Sequence, residues 1–279
     1  MFEAVYGITI VLFACTSTVS ILALHSDRSV LGERAQALFF ISTAGFIVSG
    51  VVRYYPFSAG DFMHVLASIW GYFFLLAAFL LVLLVYLRFS RWRQYWKSIA
   101  PISLLFVTVL LVVSVPFINS TRHMQIDLVH GLLPVHVVLA IVGELFFFFS
   151  FVGGVLSVVM ERQLRKKSSM IFIYRLPNLE TIEKFNMWAT CRSLVFLTAG
   201  LGVGVVLLWG SFNVVSLFSL KEIIIYVSWA LILALYVLRS RNLLTAYRIN
   251  YLTILSFIIV MSLYVYSNIA IQSGFHSFK

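Results

Sequence analysis

Among the 279 residues, the ones whose type and spacing bear on chemistry are the six histidines, one carboxylate inside an apolar block, and a glycine-spaced segment. His64, His123, His130, His136 and His276 lie between the long apolar blocks or at their edges, and His25 follows the first block. Neutral imidazole binds iron, zinc or copper, and two opposed imidazoles are what a haem iron takes as axial ligands. The blander role, an ordinary polar residue at the end of an apolar block, is open to each histidine taken singly. His130 and His136 are separated by Gly131 and Pro134, so no regular helix holds both on one face. Glu144 is the clear carboxylate within an apolar block. A carboxylate there is paired, neutral or facing a wet cavity, and serves either function or a hydrogen bond between helices. Gly200, Gly202 and Gly204 follow no strand, so a helix-packing face explains them better than a nucleotide loop. The chain contains no Ser-His-Asp order, P-loop or acidic pair suited to hydrolysis. Cys15 and Cys191 form no CxxC, which excludes a haem-attachment motif and a disulfide framework.

The elements that must position these residues follow from composition. With 62% hydrophobic and 11% charged residues, and a mean hydropathy of +1.02, the chain carries too few charges to cover a soluble globule of its length. The apolar residues fall into long blocks such as Val65 to Leu87, which is 23 residues without a charge. A 20-residue helix is about 30 Å long and matches the hydrocarbon core of a bilayer. The blocks predict eight transmembrane helices near 6–24, 35–52, 65–87, 99–117, 135–159, 193–212, 223–238 and 252–270, forming a single all-α transmembrane domain over 1–279. The first block lacks the basic segment that a cleaved signal peptide carries, so it is expected to be retained. The stretch Met160 to Arg192 reads as a basic loop with a short surface helix around Leu179 to Trp188.

Orientation follows from the basic residues. The loops after spans one, three, five and seven hold 16 of the 20 Lys and Arg; the opposite side has Arg53, Arg122, Lys221 and Lys279. By the positive-inside rule both termini are outside. The formal charge of +10 is then met by cytoplasmic loops facing anionic lipid, and no nucleic-acid partner is needed. This topology places five of the six histidines on the outer side. His136 opens the fifth span and His276 follows the eighth, so the two could reach one plane as ligands of haem iron. Tyr54, Tyr55, Phe57, Trp209, Phe212 and Phe218 lie near that plane, either flanking a porphyrin or forming an interfacial aromatic belt. Arg122, Lys221 and Lys279 are available there to haem propionates.

Several segments, in order, resemble the CcsA/HemX family of cytochrome c assembly membrane proteins, with the best-matching region at 130–279. His136-Val137-Val138-Leu139-Ala140 is similar to that family's outer histidine and aliphatic span, and Leu176-Pro177-Asn178-Leu179-Glu180 to its cytoplasmic Leu-Pro-x-Leu-Glu stretch. Gly200 to Gly204, Lys221-Glu222 with Trp229 and Arg239, and Asn268 with Gly274-Phe275-His276-Ser277 resemble the family's last three spans. The tryptophan-rich segment of synthase members, which ends in Trp-Asp, is replaced here by residues such as Phe212, Asn213, Ser216, Phe218, Ser219 and Leu220.

The resemblance implies the short HemX-like branch, in a bacterial inner membrane. It implies haem b held by His136 and His276, with Trp209 and Lys221 beside it, and apocytochrome c or other assembly proteins as partners. Loss of the Trp-Asp pair argues against independent synthase activity. The alternative that the resemblance implies is a regulator of haem biosynthesis, whose basic cytoplasmic loops contact a soluble enzyme of that pathway.

Overall fold

The computed structural model describes residues 2–25, 29–54, 69–90, 96–118, 132–165, 177–210 and 220–272. They form eight α-helices in chain order: α1 Phe2–His25, α2 Ser29–Tyr54, α3 Ile69–Phe89, α4 Trp96–Ser114, α5 Leu133–Arg165, α6 Leu179–Gly210, α7 Leu220–Ser240 and α8 Ala246–Gln272. Each apolar block of the sequence corresponds to one helix. Six of the eight carry a stretch long and apolar enough to cross a membrane, and the apolar parts of α3 (Phe73–Phe89) and α4 (Ser98–Ser114) are shorter. The chain is an all-α, polytopic membrane protein.

Most helices run past their apolar blocks, α2 from Ser29 and α8 from Ala246, and two change the sequence expectation most. The short surface helix and the sixth span are one continuous helix, α6, of 32 residues, and α5 runs 33 residues to Arg165 rather than stopping near 159. The physical reason is local: Ala189-Thr190-Cys191-Arg192 contains no glycine or proline, so nothing stops helix propagation between Trp188 and Ser193. The true start is set by Pro177 and Asn178. The Asn178 side-chain oxygen accepts from the Thr181 N–H at 2.8 Å, an N-cap that satisfies one of the free amides of the first turn.

The helices group into two compact units, one containing α1 to α4 and the other α5 to α8. In the first, α1 packs on α2 and α4, and α4 packs on α3. Lipid tails are as apolar as leucine, so helices associate in a bilayer through close packing and hydrogen bonds rather than through water exclusion. Here these are stacked rings, such as Phe46 on Phe74 with centroids 4.3 Å apart. Hydroxyl pairs add to them, with Tyr6 to Ser114 and Thr16 to Ser42 each at 2.6 Å. Such bonds contribute about 0.6–2 kcal/mol apiece. Arg53 is committed within this unit. Its guanidinium lies 4.7 Å from the Phe2 ring centroid and donates to the Ile118 carbonyl at 2.7 Å.

In the second unit, α5, α6, α7 and α8 each pack on the next, and α8 packs back on α5. The α5–α6 pairing descends in order: His136 against Gly204, Ala140 against Gly200, Gly143 against Leu197, Ser150 against Thr190 and Gly153 against Asn186. The two helices are therefore antiparallel over their length. Phe147, Phe148 and Phe151 of α5 surround the Phe257 ring of α8, the closest with centroids 4.5 Å apart. Between α7 and α8 the turn is short, and Asn242 adopts φ 50°, the left-handed conformation that ends a helix. The Asn242 and Leu243 amides donate back to the Arg239 and Leu238 carbonyls at 3.2 and 3.1 Å.

Candidate functional site

His136 stands near the start of α5, where Pro134 is tolerated in the first turn because that turn's amides need no intrahelical acceptor. Its half-buried ring crosses to α6, and Nδ1 lies 2.8 Å from the Gly200 carbonyl oxygen. A carbonyl can only accept, so Nδ1 carries a proton, and the tautomer this selects has its lone pair on Nε2. Nε2 makes no hydrogen bond among the described residues. The ring fits because residue 204 is glycine: a Cβ there would stand 2.9 Å from His136 Cε1 and 3.2 Å from Nδ1. Gly200 lets the α5 backbone approach, a Cβ there meeting the Ala140 nitrogen at 3.5 Å, whereas Gly202 faces open space. The glycine segment therefore forms both a helix contact and a niche for one imidazole.

This is how a metal-binding histidine is usually held. Its second ring nitrogen donates to a carbonyl, which sets both tautomer and ring orientation and leaves the other nitrogen to the metal. No group of three or more His, Cys, Asp and Glu that could hold a metal ion occurs among the described residues. Among the described residues the niche offers one imidazole ligand.

The other residues singled out in the sequence are placed as follows. Trp209 is in the last turn of α6 and Lys221 in the first turn of α7, with side chains outside the described residues. The direction of α6 puts Trp209 at the same end of the unit as His136. His276, Arg122 and Lys279 lie outside the described residues, as do His64, His123 and His130. Glu144 is half-buried on α5, two turns further along than His136. Of the family-like residues, Trp229 donates from Nε1 to Thr198 Oγ1 at 2.9 Å and ties α7 to α6.

A second polar group, not apparent from the sequence, lies toward the opposite end of this unit. Arg239 Nη2 of α7 donates to Asn250 Oδ1 of α8 at 2.8 Å, and Asn250 Nδ2 donates to Glu183 Oε1 of α6 at 2.6 Å. The amide of Asn186 on α6 meets Asn250 Oδ1 at 3.1 Å. Asn186 and Asn250 are 0% and 1% exposed, so their polar atoms depend on one another. Along the sequence, Arg239 falls among the loop cations after the seventh block and Glu183 within the expected surface helix. The continuous α6 and the tight α7–α8 turn bring them to Asn250. The available signals were Asn186 and Asn250 inside apolar helices and the Gly153-Gly154 pair facing them.

Compared with known proteins, the chain matches no family model, and no curated protein or solved structure is significantly similar to it.

Proposed function

We propose that this chain is a haem-handling membrane protein of cytochrome c assembly, holding haem b at the end of the second unit where α5 begins. His136 and His276 would hold its iron, and Trp209 and Lys221 would help bind the porphyrin and a propionate. The observation that carries this reading is His136, anchored through Nδ1 on the Gly200 carbonyl and seated against Gly204, with Nε2 left over. Haem would supply the prosthetic group that apocytochrome c requires. The protein residues would bind, orient and present it. Both termini are placed outside a bacterial inner membrane in this proposal, supported by the 16 basic residues that the sequence concentrates between alternate pairs of apolar blocks.

The test is optical. Purified full-length protein should show a Soret band that His136→Ala, alone and with His276→Ala, reduces or abolishes. A preparation with no Soret band, or a band unchanged in the double variant, would sink the assignment. A deletion strain should lose c-type cytochromes while keeping normal tetrapyrrole precursors; the reverse result would favour the regulator of haem biosynthesis. A reporter fusion placing the C-terminus in the cytoplasm would also overturn the proposal, since four helices separate His136 from His276 and both would then be cytoplasmic instead of outside.

A further inference from the structure

The C-terminal end of α5 and the start of α8 carry a cluster that the haem reading does not use. Arg162 donates from Nη2 to the Tyr251 hydroxyl, and its guanidinium lies 5.6 Å from the Tyr251 ring centroid. The Arg165 guanidinium is 5.7 Å from the Tyr247 ring centroid, and the Tyr247 hydroxyl donates to that of Tyr251 at 3.1 Å. Glu161 pairs with Arg165 at 2.7 Å, so Arg162 and Arg248, both exposed, are the cations here without a carboxylate partner among the described residues. Below them an open groove of about 570 Å³ runs along α8, lined by Tyr247, Arg248, Tyr251, Leu252, Leu255 and Ile258. Leu255 and Ile258 are 54% and 51% exposed.

We propose that this groove is a binding site for one anionic phospholipid, its phosphate on Arg162 and Arg248 with the tyrosine hydroxyls, and an acyl chain along Leu252, Leu255 and Ile258. The order along the helix is that of a lipid: cations and phenols first, then aliphatic side chains for the next two turns. From Tyr247 to Ile258 the groove is about 16 Å long at 1.5 Å per residue, of which Leu252 to Ile258 supplies about 9 Å, enough for the upper part of an acyl chain within one leaflet of a 30 Å hydrocarbon core. The level is also right. Arg162 is about 39 Å along α5 from His136, close to the 40–45 Å thickness of a bilayer with its headgroups. A site at one headgroup layer thus puts the other at the opposite layer. Charge complementarity selects an anionic headgroup, because two guanidiniums without a carboxylate partner among the described residues present only donors and positive charge.

The experiment is native mass spectrometry of the full-length protein in detergent, titrated with phosphatidylglycerol or phosphatidylcholine of identical acyl chains. Wild type should retain phosphatidylglycerol in preference to phosphatidylcholine. Each arginine contributes about five-fold, so Arg162→Gln with Arg248→Gln should weaken phosphatidylglycerol retention roughly 25-fold. Arg192→Gln, an exposed basic position elsewhere on α6, should leave it unchanged. Should the double variant fail to fold, Leu255→Trp decides: it keeps every charge and fills the groove, and should still reduce retention. Equal binding of the two lipids by wild type, or phosphatidylglycerol binding unaffected by Leu255→Trp, overturns the proposal. So does a groove variant that dissociates a second copy of the chain instead of releasing lipid.

Discussion

Toward both ends of the α5–α6 pair a glycine makes room for a polar side chain of the facing helix: Gly204 for the His136 ring and Gly153 for the Asn186 amide. The two arrangements are built alike and finished differently. Around Asn250 the polar groups are turned on one another, so that one side chain serves Arg239, Glu183 and Asn186, and Arg239 Nη1 is the buried nitrogen left over. At His136 a single hydrogen bond is made and the second ring nitrogen has no partner among the described residues. A closed polar group holds helices together, because each member would be costly to leave unpaired in a medium without water. An open one contributes little to packing and is available to a ligand.

The largest effect should come from breaking the closed end. Asn250→Ala removes three contacts at once and leaves Arg239 and Glu183 without their bridge, costing about 3 kcal/mol. Thermal unfolding in detergent should show this as a midpoint roughly 5–10 °C lower. An unchanged midpoint would mean that the cluster does not hold α6, α7 and α8 together. Next comes the open end. Gly204→Ala puts a methyl group within 2.9 Å of the imidazole, so the ring must move, at a cost of about 1–2 kcal/mol. The contrast predicts a modest fall in midpoint with a disproportionate change in any Soret band, since the displaced ring no longer presents Nε2 in the same direction. The smallest effect belongs to Gly202→Ala, where nothing stands within 4 Å. Better helix propensity should raise the midpoint slightly, by about 0.5–1 kcal/mol of stability, with no optical change. If the alanines at 202 and 204 behaved alike, the niche would have no meaning.

The eight helices were legible because a lipid environment demands uninterrupted apolar backbone hydrogen bonding, which writes each span into the sequence as a block. Helix ends were less so. Hydropathy marks where apolar residues stop, whereas the start of α6 is set by the backbone, at Pro177 and the Asn178 cap before Leu179. His136 could be singled out by type and position, but its partner could not. The Gly200 carbonyl is a backbone group, invisible to residue patterns, and it reaches the ring only through the antiparallel register of the two helices. The Asn250 cluster was hidden for a related reason. Arg239 lies just beyond its apolar block among the loop cations and Glu183 falls in the expected surface helix, while their contacts join three separate helices.

The turn at Asn242 bears on how the protein is made. Only Arg241 to Thr245 separate α7 from α8, and the left-handed residue with its two returning hydrogen bonds ends α7 sharply. The apolar stretch of α7 is 18 residues, at the short end for a stable crossing. Emerging from the ribosome, it is followed almost at once by the apolar face of α8, so the pair reaches the membrane as a hairpin whose second arm can help retain the first.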